Sequence, residues 1–164
     1  MNIKVIVSIL IGTVVVIGGF IWSSQQSSGL AGQPSSDPSA LVSDSQLYDF
    51  GTISMAKGEV AHSFKIRNTS QESLSIKQVY TSCMCTLAEV KIGEKTYGPF
   101  GMQGHGGATA TNIELSPGQE VELNAIYDPN AHGPAGVGAI DRYLYLQDEK
   151  GAQLRIEIKA NVTP

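Results

Sequence analysis

Hydrophobic and polar positions divide the chain into three stretches of different pattern. Residues 3–22 are apolar almost throughout, with Lys4 as the one charge at their edge. Residues 23–46 are polar, rich in Ser, Gly and Pro, and carry no apolar period. From Leu47 onward apolar and polar residues alternate with a period of two between turn residues, the signature of half-buried strands. The C-terminal run is the most regular, with Leu154, Ile156, Ile158, Ala160 and Val162 on one face and Arg155, Glu157, Lys159 and Asn161 on the other. Val60, His62, Phe64 and Ile66 share a face against Ala61, Ser63, Lys65 and Arg67, and Val121, Leu123, Ala125 and Tyr127 alternate with Glu120, Glu122 and Asn124. Further strands are predicted over 48–53, 74–80, 87–92, 112–115 and 140–146. Within 74–80 the apolar residues Leu74, Ile76 and Val79 slip out of phase, which predicts a bulge ahead of the cysteines. Turn residues cluster at 67–70, 116–118, 128–130 and 149–151. Seven or eight short strands with no helical period predict an antiparallel β-sandwich over 47–164.

The apolar run reads as one N-terminal transmembrane helix. About 20 uncharged residues suffice to cross roughly 30 Å of hydrocarbon, and in lipid the backbone must satisfy its own hydrogen bonds, so helix prevails despite many β-branched residues. Trp22 closes the run where an aromatic ring suits the interface. No Lys or Arg follows until Lys57, whereas Asp37 and Asp44 are acidic. The positive-inside rule therefore places the N-terminus in the cytoplasm and everything after Trp22 outside. The competing reading is a cleaved export signal ending near Gly29-Leu30-Ala31, although the run is long for one. Either way the β domain is exported. The expected organisation is an anchor over 1–22, a flexible tether over 23–46 reaching on the order of 25–30 Å, and the sandwich.

Composition narrows the function classes. Charged residues make up 16% of the chain and glycines number 18, which fits a membrane segment plus a turn-rich β domain and not a coiled coil. A net charge of −4 offers no basic surface for phosphates, so no nucleic-acid partner is expected. Two cysteines are too few for a disulfide framework.

Several motifs in order carry a more specific resemblance. Asp49-Phe50-Gly51-Thr52-Ile53 is followed by Gly58, His62, Phe64, Ile66 and Asn68. Ser82-Cys83-Met84-Cys85-Thr86 comes next, then Ser116-Pro117-Gly118 and Tyr127-Asp128-Pro129. Together they resemble the bacterial domain of unknown function 1573, a family similar to major-sperm-protein and Hydin-type domains. The resemblance implies an immunoglobulin-like sandwich and an exported location, and no established activity. With the anchor, it implies a single-pass protein of the bacterial inner membrane whose C-terminal domain is periplasmic or extracellular. Met84 stands where the family usually has glycine, and the 98–107 stretch is longer and richer in glycine than the common pattern.

Cys83-Met84-Cys85 is the most informative triplet. On an extended strand, residues two apart share a face, so both thiols would project together and Met84 oppositely. Two soft thiolates on one face suit Cu(I) or Zn(II), and softness favours copper. Met102 and His105 in the glycine-rich loop, and His132 in the 128–134 turn, are further candidate metal ligands. A Cys83–Cys85 disulfide is the alternative. It needs Cβ atoms about 3.8 Å apart, closer than same-face neighbours on a flat strand. Such a bond would be strained and easily reduced, as redox-active pairs are. The plainer reading is a small buried or oxidised pair, with the loop histidines capping turns. Three functions stay open at this level: a binding or scaffold module that meets another cell-envelope protein, a copper site, and a thiol–disulfide oxidoreductase.

Other chemistry finds little footing. His62 lies between Val60 and Phe64 on an apolar face and reads as a packed histidine. The 98–107 loop lacks a following Lys-Ser/Thr and a helix to receive an anion, so no nucleotide is expected. No Gly-x-Ser-x-Gly elbow occurs. Asp128, near His132, reads as a turn-stabilising aspartate.

Overall fold

The structure, a computed structural model, describes residues 39–105, 107 and 109–164. The expected anchor and most of the tether lie outside the described residues. Among the described residues no helix is long and apolar enough to cross a membrane.

Ten strands follow one another: β1 Leu41–Ser43, β2 Leu47–Ser54, β3 Val60–Asn68, β4 Leu74–Thr81, β5 Thr86–Ile92, β6 Lys95–Phe100, β7 Ala110–Leu115, β8 Glu120–Tyr127, β9 Gly138–Asp148 and β10 Gln153–Thr163. They form two five-stranded sheets, ordered β1-β3-β8-β5-β6 and β2-β10-β9-β4-β7. The alternation read in the sequence is the one that builds the core. Phe64 and Ile66 of β3, Leu123 and Ala125 of β8, Leu144 and Leu146 of β9, and Ile156 and Ile158 of β10 are all fully buried. The expected all-β sandwich is thus present.

Three details correct the expectation. Ten strands replace seven or eight because two short edge strands escape the pattern. β1 lies inside the stretch read as tether. Leu41 is buried, and β1 pairs antiparallel with β3 from Leu41↔Asn68 to Ser43↔Ile66. β6 contains Gly98-Pro99, which reads as loop, yet it lies at a sheet edge, where a missing N–H is tolerated. Its pairing with β5 shifts register between Ala88 and Val90, and Gly98 takes φ +111° there. A Cβ on Gly98 would stand 2.9 Å from the Ala88 carbonyl oxygen, so only glycine fits this bulge. The sandwich is also not wholly antiparallel, because β2 runs parallel to β10.

The bulge in β4 is where the phase slip placed it, between Ile76 and Gln78, in the pairings with both β7 and β9. Its effect reaches the cysteines. The extra residue turns Val79 and then Thr81 inward, and both are buried. Thr81 thereby delivers a hydroxyl to the end of the sandwich where the chain crosses from one sheet to the other.

Candidate functional site

The cysteines sit in that crossing, in a turn rather than on the extended strand predicted. Thr86 N–H donates to the Cys83 carbonyl at 3.1 Å, closing a tight turn with Met84 and Cys85 at its centre. The Thr81 hydroxyl is 2.9 Å from the carbonyl oxygens of both Cys83 and Thr86 and shares its one proton between them. Ser82 fixes the turn to β9, its N–H donating to the Tyr143 carbonyl and its hydroxyl accepting from Tyr143 N–H, each at 2.9 Å. The turn brings the thiols to one side by a different route from strand parity. Cys85 is 2% exposed, Cys83 is half-buried, and Met84 projects to solvent, 57% exposed. Cys85 N–H lies 3.5 Å from Cys83 Sγ.

His132 arrives from the loop after β8. Asp128 N–H donates to the Cys85 carbonyl at 2.9 Å, and Asp128 Oδ1 accepts from Asn130 N–H at 2.8 Å, so Asp128 does stabilise the turn. Asn130 Nδ2 reaches the Met55 carbonyl at 2.7 Å, and Gly133 N–H closes on the Asn130 carbonyl. The loop so held sets His132 Nε2 3.2 Å from Cys83 Sγ. Cys83, Cys85 and His132 each offer a ligand atom, and these atoms all lie within 4.8 Å of one another.

Of the five candidate ligands, the structure therefore brings three together. Met102 is placed by a backbone bridge to Thr81, and His105 is exposed in the turn that follows. His105 is not one of the three converging ligands. The glycine-rich loop has a packing role of its own: a Cβ on Gly107 would stand 3.0 Å from Gly101 Cα. His62 is a packed histidine as expected, stacked on Tyr48 at 3.5 Å and edge-on to Phe64 at 4.7 Å.

A fourth residue, not singled out from the sequence, completes the site. Arg142 of β9 donates from Nε to Cys85 Sγ at 3.3 Å and from Nη1 to the Asp141 carbonyl at 2.8 Å. The signal was legible: Arg142 occupies the inward phase shared by Ile140, Leu144 and Leu146. A charge on the apolar face of a strand calls for a partner.

The two thiols differ in acidity. Burial pushes the Cys83 thiol up, but hydrogen bonds from the Cys85 side chain and N–H, the His132 contact and the Arg142 charge outweigh it and bring it down to about 7. Burial and the bond to Cys83 raise the Cys85 thiol, against the pull of Arg142 and Thr86. Burial works against the Arg142 guanidinium, yet its bond to Cys85 and the nearby sulfur charges hold it firmly protonated. The first proton therefore leaves the more accessible sulfur.

Residues 41–99 match the model of the family described as protein of unknown function (DUF1573). This is the family that the ordered motifs resemble. The DUF1573 match includes Cys83-Met84-Cys85 and stops before His132 and Arg142. No curated protein matches the chain. Among solved structures, a protein of unknown function from Porphyromonas gingivalis W83 is 19% identical with a TM-score of 0.52, over 74% of this chain and 46% of that one. A family 123 glycoside hydrolase from Clostridium perfringens is 5% identical with a TM-score of 0.51, over 72% of this chain and 23% of that one. The chain thus spans less than half of either structure, and both likenesses concern the fold.

Proposed function

We propose that this chain is a binding module displayed on the non-cytoplasmic side of a bacterial membrane, and that its ligand is a soft metal ion held by Cys83, Cys85 and His132. The observation that carries this reading is the convergence of two thiol sulfurs and an imidazole nitrogen within 4.8 Å, brought from two separate loops. Soft sulfur donors with one imidazole suit Cu(I). Each ligand is set by backbone hydrogen bonds of its own loop, so little has to be ordered when an ion arrives. The open side of the site, where His132 and Met84 face solvent, is where a cell-envelope partner would deliver or collect the ion. The apolar run over 3–22 supports the membrane placement.

The test is competition. The reduced full chain in detergent is given Cu(I) anaerobically and challenged with a chromogenic Cu(I) chelator. The chain should retain the ion at chelator concentrations that strip a Cys83→Ser/Cys85→Ser variant. Equal loss from both proteins would sink the reading.

The asymmetry of the thiols favours a second reading, thiol–disulfide exchange. The Cys83 thiolate would attack a disulfide sulfur of a substrate protein and displace one substrate thiolate. Cys85, giving up its proton, would then attack the Cys83 sulfur, leaving a Cys83–Cys85 disulfide and the reduced substrate. A measured reduction potential below about −300 mV, typical of structural disulfides, rules this out.

A further inference from the structure

We propose that Arg142 fixes the charge of the thiol–imidazole site and so selects a monovalent soft ion, Cu(I), over a divalent one. This rests on the metal reading above and assigns its specificity to a residue that is not a ligand.

Arg142 sits on the inward phase of β9 between Ile140 and Leu144, both buried. Its guanidinium, at the end of the space between the sheets, bonds to the Cys85 sulfur and the Asp141 carbonyl. Three ion pairs form among the described residues, Lys65–Glu120, Lys159–Asp141 and Lys159–Glu157, and none involves Arg142. A partly buried guanidinium requires compensating negative charge, and the sulfur beside it is the group positioned to supply that charge.

The charge count then discriminates between ions. Two thiolates and a neutral imidazole carry two negative charges, and the guanidinium leaves one. A monovalent cation cancels it. A divalent cation neutralises the two thiolates by itself and leaves the guanidinium as an uncompensated positive charge in a half-buried site. Coordination number points the same way, since a structural zinc site wants four protein ligands and three converge here. Arg142 also donates to the Cys85 sulfur, and such outer partners orient metal ligands and tune them.

The experiment compares Cu(I) and Zn(II) affinities of the reduced full chain and an Arg142→Gln variant, each by chelator competition. Loss of the charged hydrogen bond should weaken Cu(I) roughly ten- to hundredfold and leave Zn(II) unchanged or tighter. A merely structural role for Arg142 would weaken both ions alike. If Arg142→Gln does not fold, Arg142→Met places an apolar side chain on the same apolar face and carries the same comparison. An unchanged Cu(I)-to-Zn(II) preference overturns the proposal. Failure of the metal reading itself shows differently, as Cu(I) held by the unmodified chain no better than by Cys83→Ser/Cys85→Ser.

Discussion

Arg142 and Cys85 join the two sheets at one end of the sandwich. The guanidinium Nε of Arg142, from β9, stands 3.3 Å from the sulfur of Cys85, in the turn just before β5 of the opposite sheet. Removing the sulfur leaves a partly buried guanidinium without that partner. Cys85→Ala is therefore expected to lower stability by about 1–3 kcal/mol, and Cys83→Ala, at a half-buried position, by less. Urea denaturation of both variants under reducing conditions gives the comparison, and equal midpoints would contradict it.

The lowered pKa of Cys83 predicts a pH profile. In the metal-free, reduced protein, alkylation by iodoacetamide follows the thiolate. It should reach half its limiting rate near pH 7, because Cys83 is half-buried and brought down to about 7, whereas Cys85 is buried and raised. His132→Ala removes one of the lowering contacts and should move the midpoint upward. A midpoint at the ordinary 9.0 in the unmodified chain would contradict the geometry.

Asn68 is the polar anchor at the far end of β3. Its fully buried side chain donates from Nδ2 to the carbonyls of Glu72 at 2.8 Å and Leu115 at 3.0 Å, and accepts at Oδ1 from Ser70 N–H at 3.0 Å. Asn68→Ala strands these groups and should cost about 2–3 kcal/mol. The urea midpoint should fall with an unchanged slope. Wild-type stability in the variant would mean that the turn satisfies itself by other means.

The two loop histidines separate in a binding experiment. His132→Ala should weaken Cu(I) retention, while His105→Ala, exposed in its own turn and outside the converging group, should leave it unchanged. Chelator competition on both variants decides, and equal loss from the two would place the third ligand wrongly.

Much of this was written in alternation. β10 and β3 follow the period-two pattern residue by residue, and the phase slip at Ile76–Val79 announced the bulge that turns Thr81 toward the cysteines. The Cys-Met-Cys turn was not legible, because flanking strands make an extended connection the default and the turn depends on Thr81 and Tyr143 bonds formed only across the fold. Choosing His132 over His105 was beyond the sequence for a similar reason. Where the 128–134 loop lands is set by the Asn130 bond to Met55 and the Asp128 bond to Cys85, both between segments far apart in the chain. β1 hid inside a polar stretch because three residues are too few to show a period.

The central claim is that Cys83, Cys85 and His132 hold one soft metal ion together. X-ray absorption at the copper edge of the Cu(I)-loaded full chain tests it most directly. Two sulfur scatterers and one nitrogen scatterer in the first shell, with the nitrogen lost in His132→Ala, are the predicted result. A first shell with a single sulfur, or one that His132→Ala leaves unchanged, would contradict it.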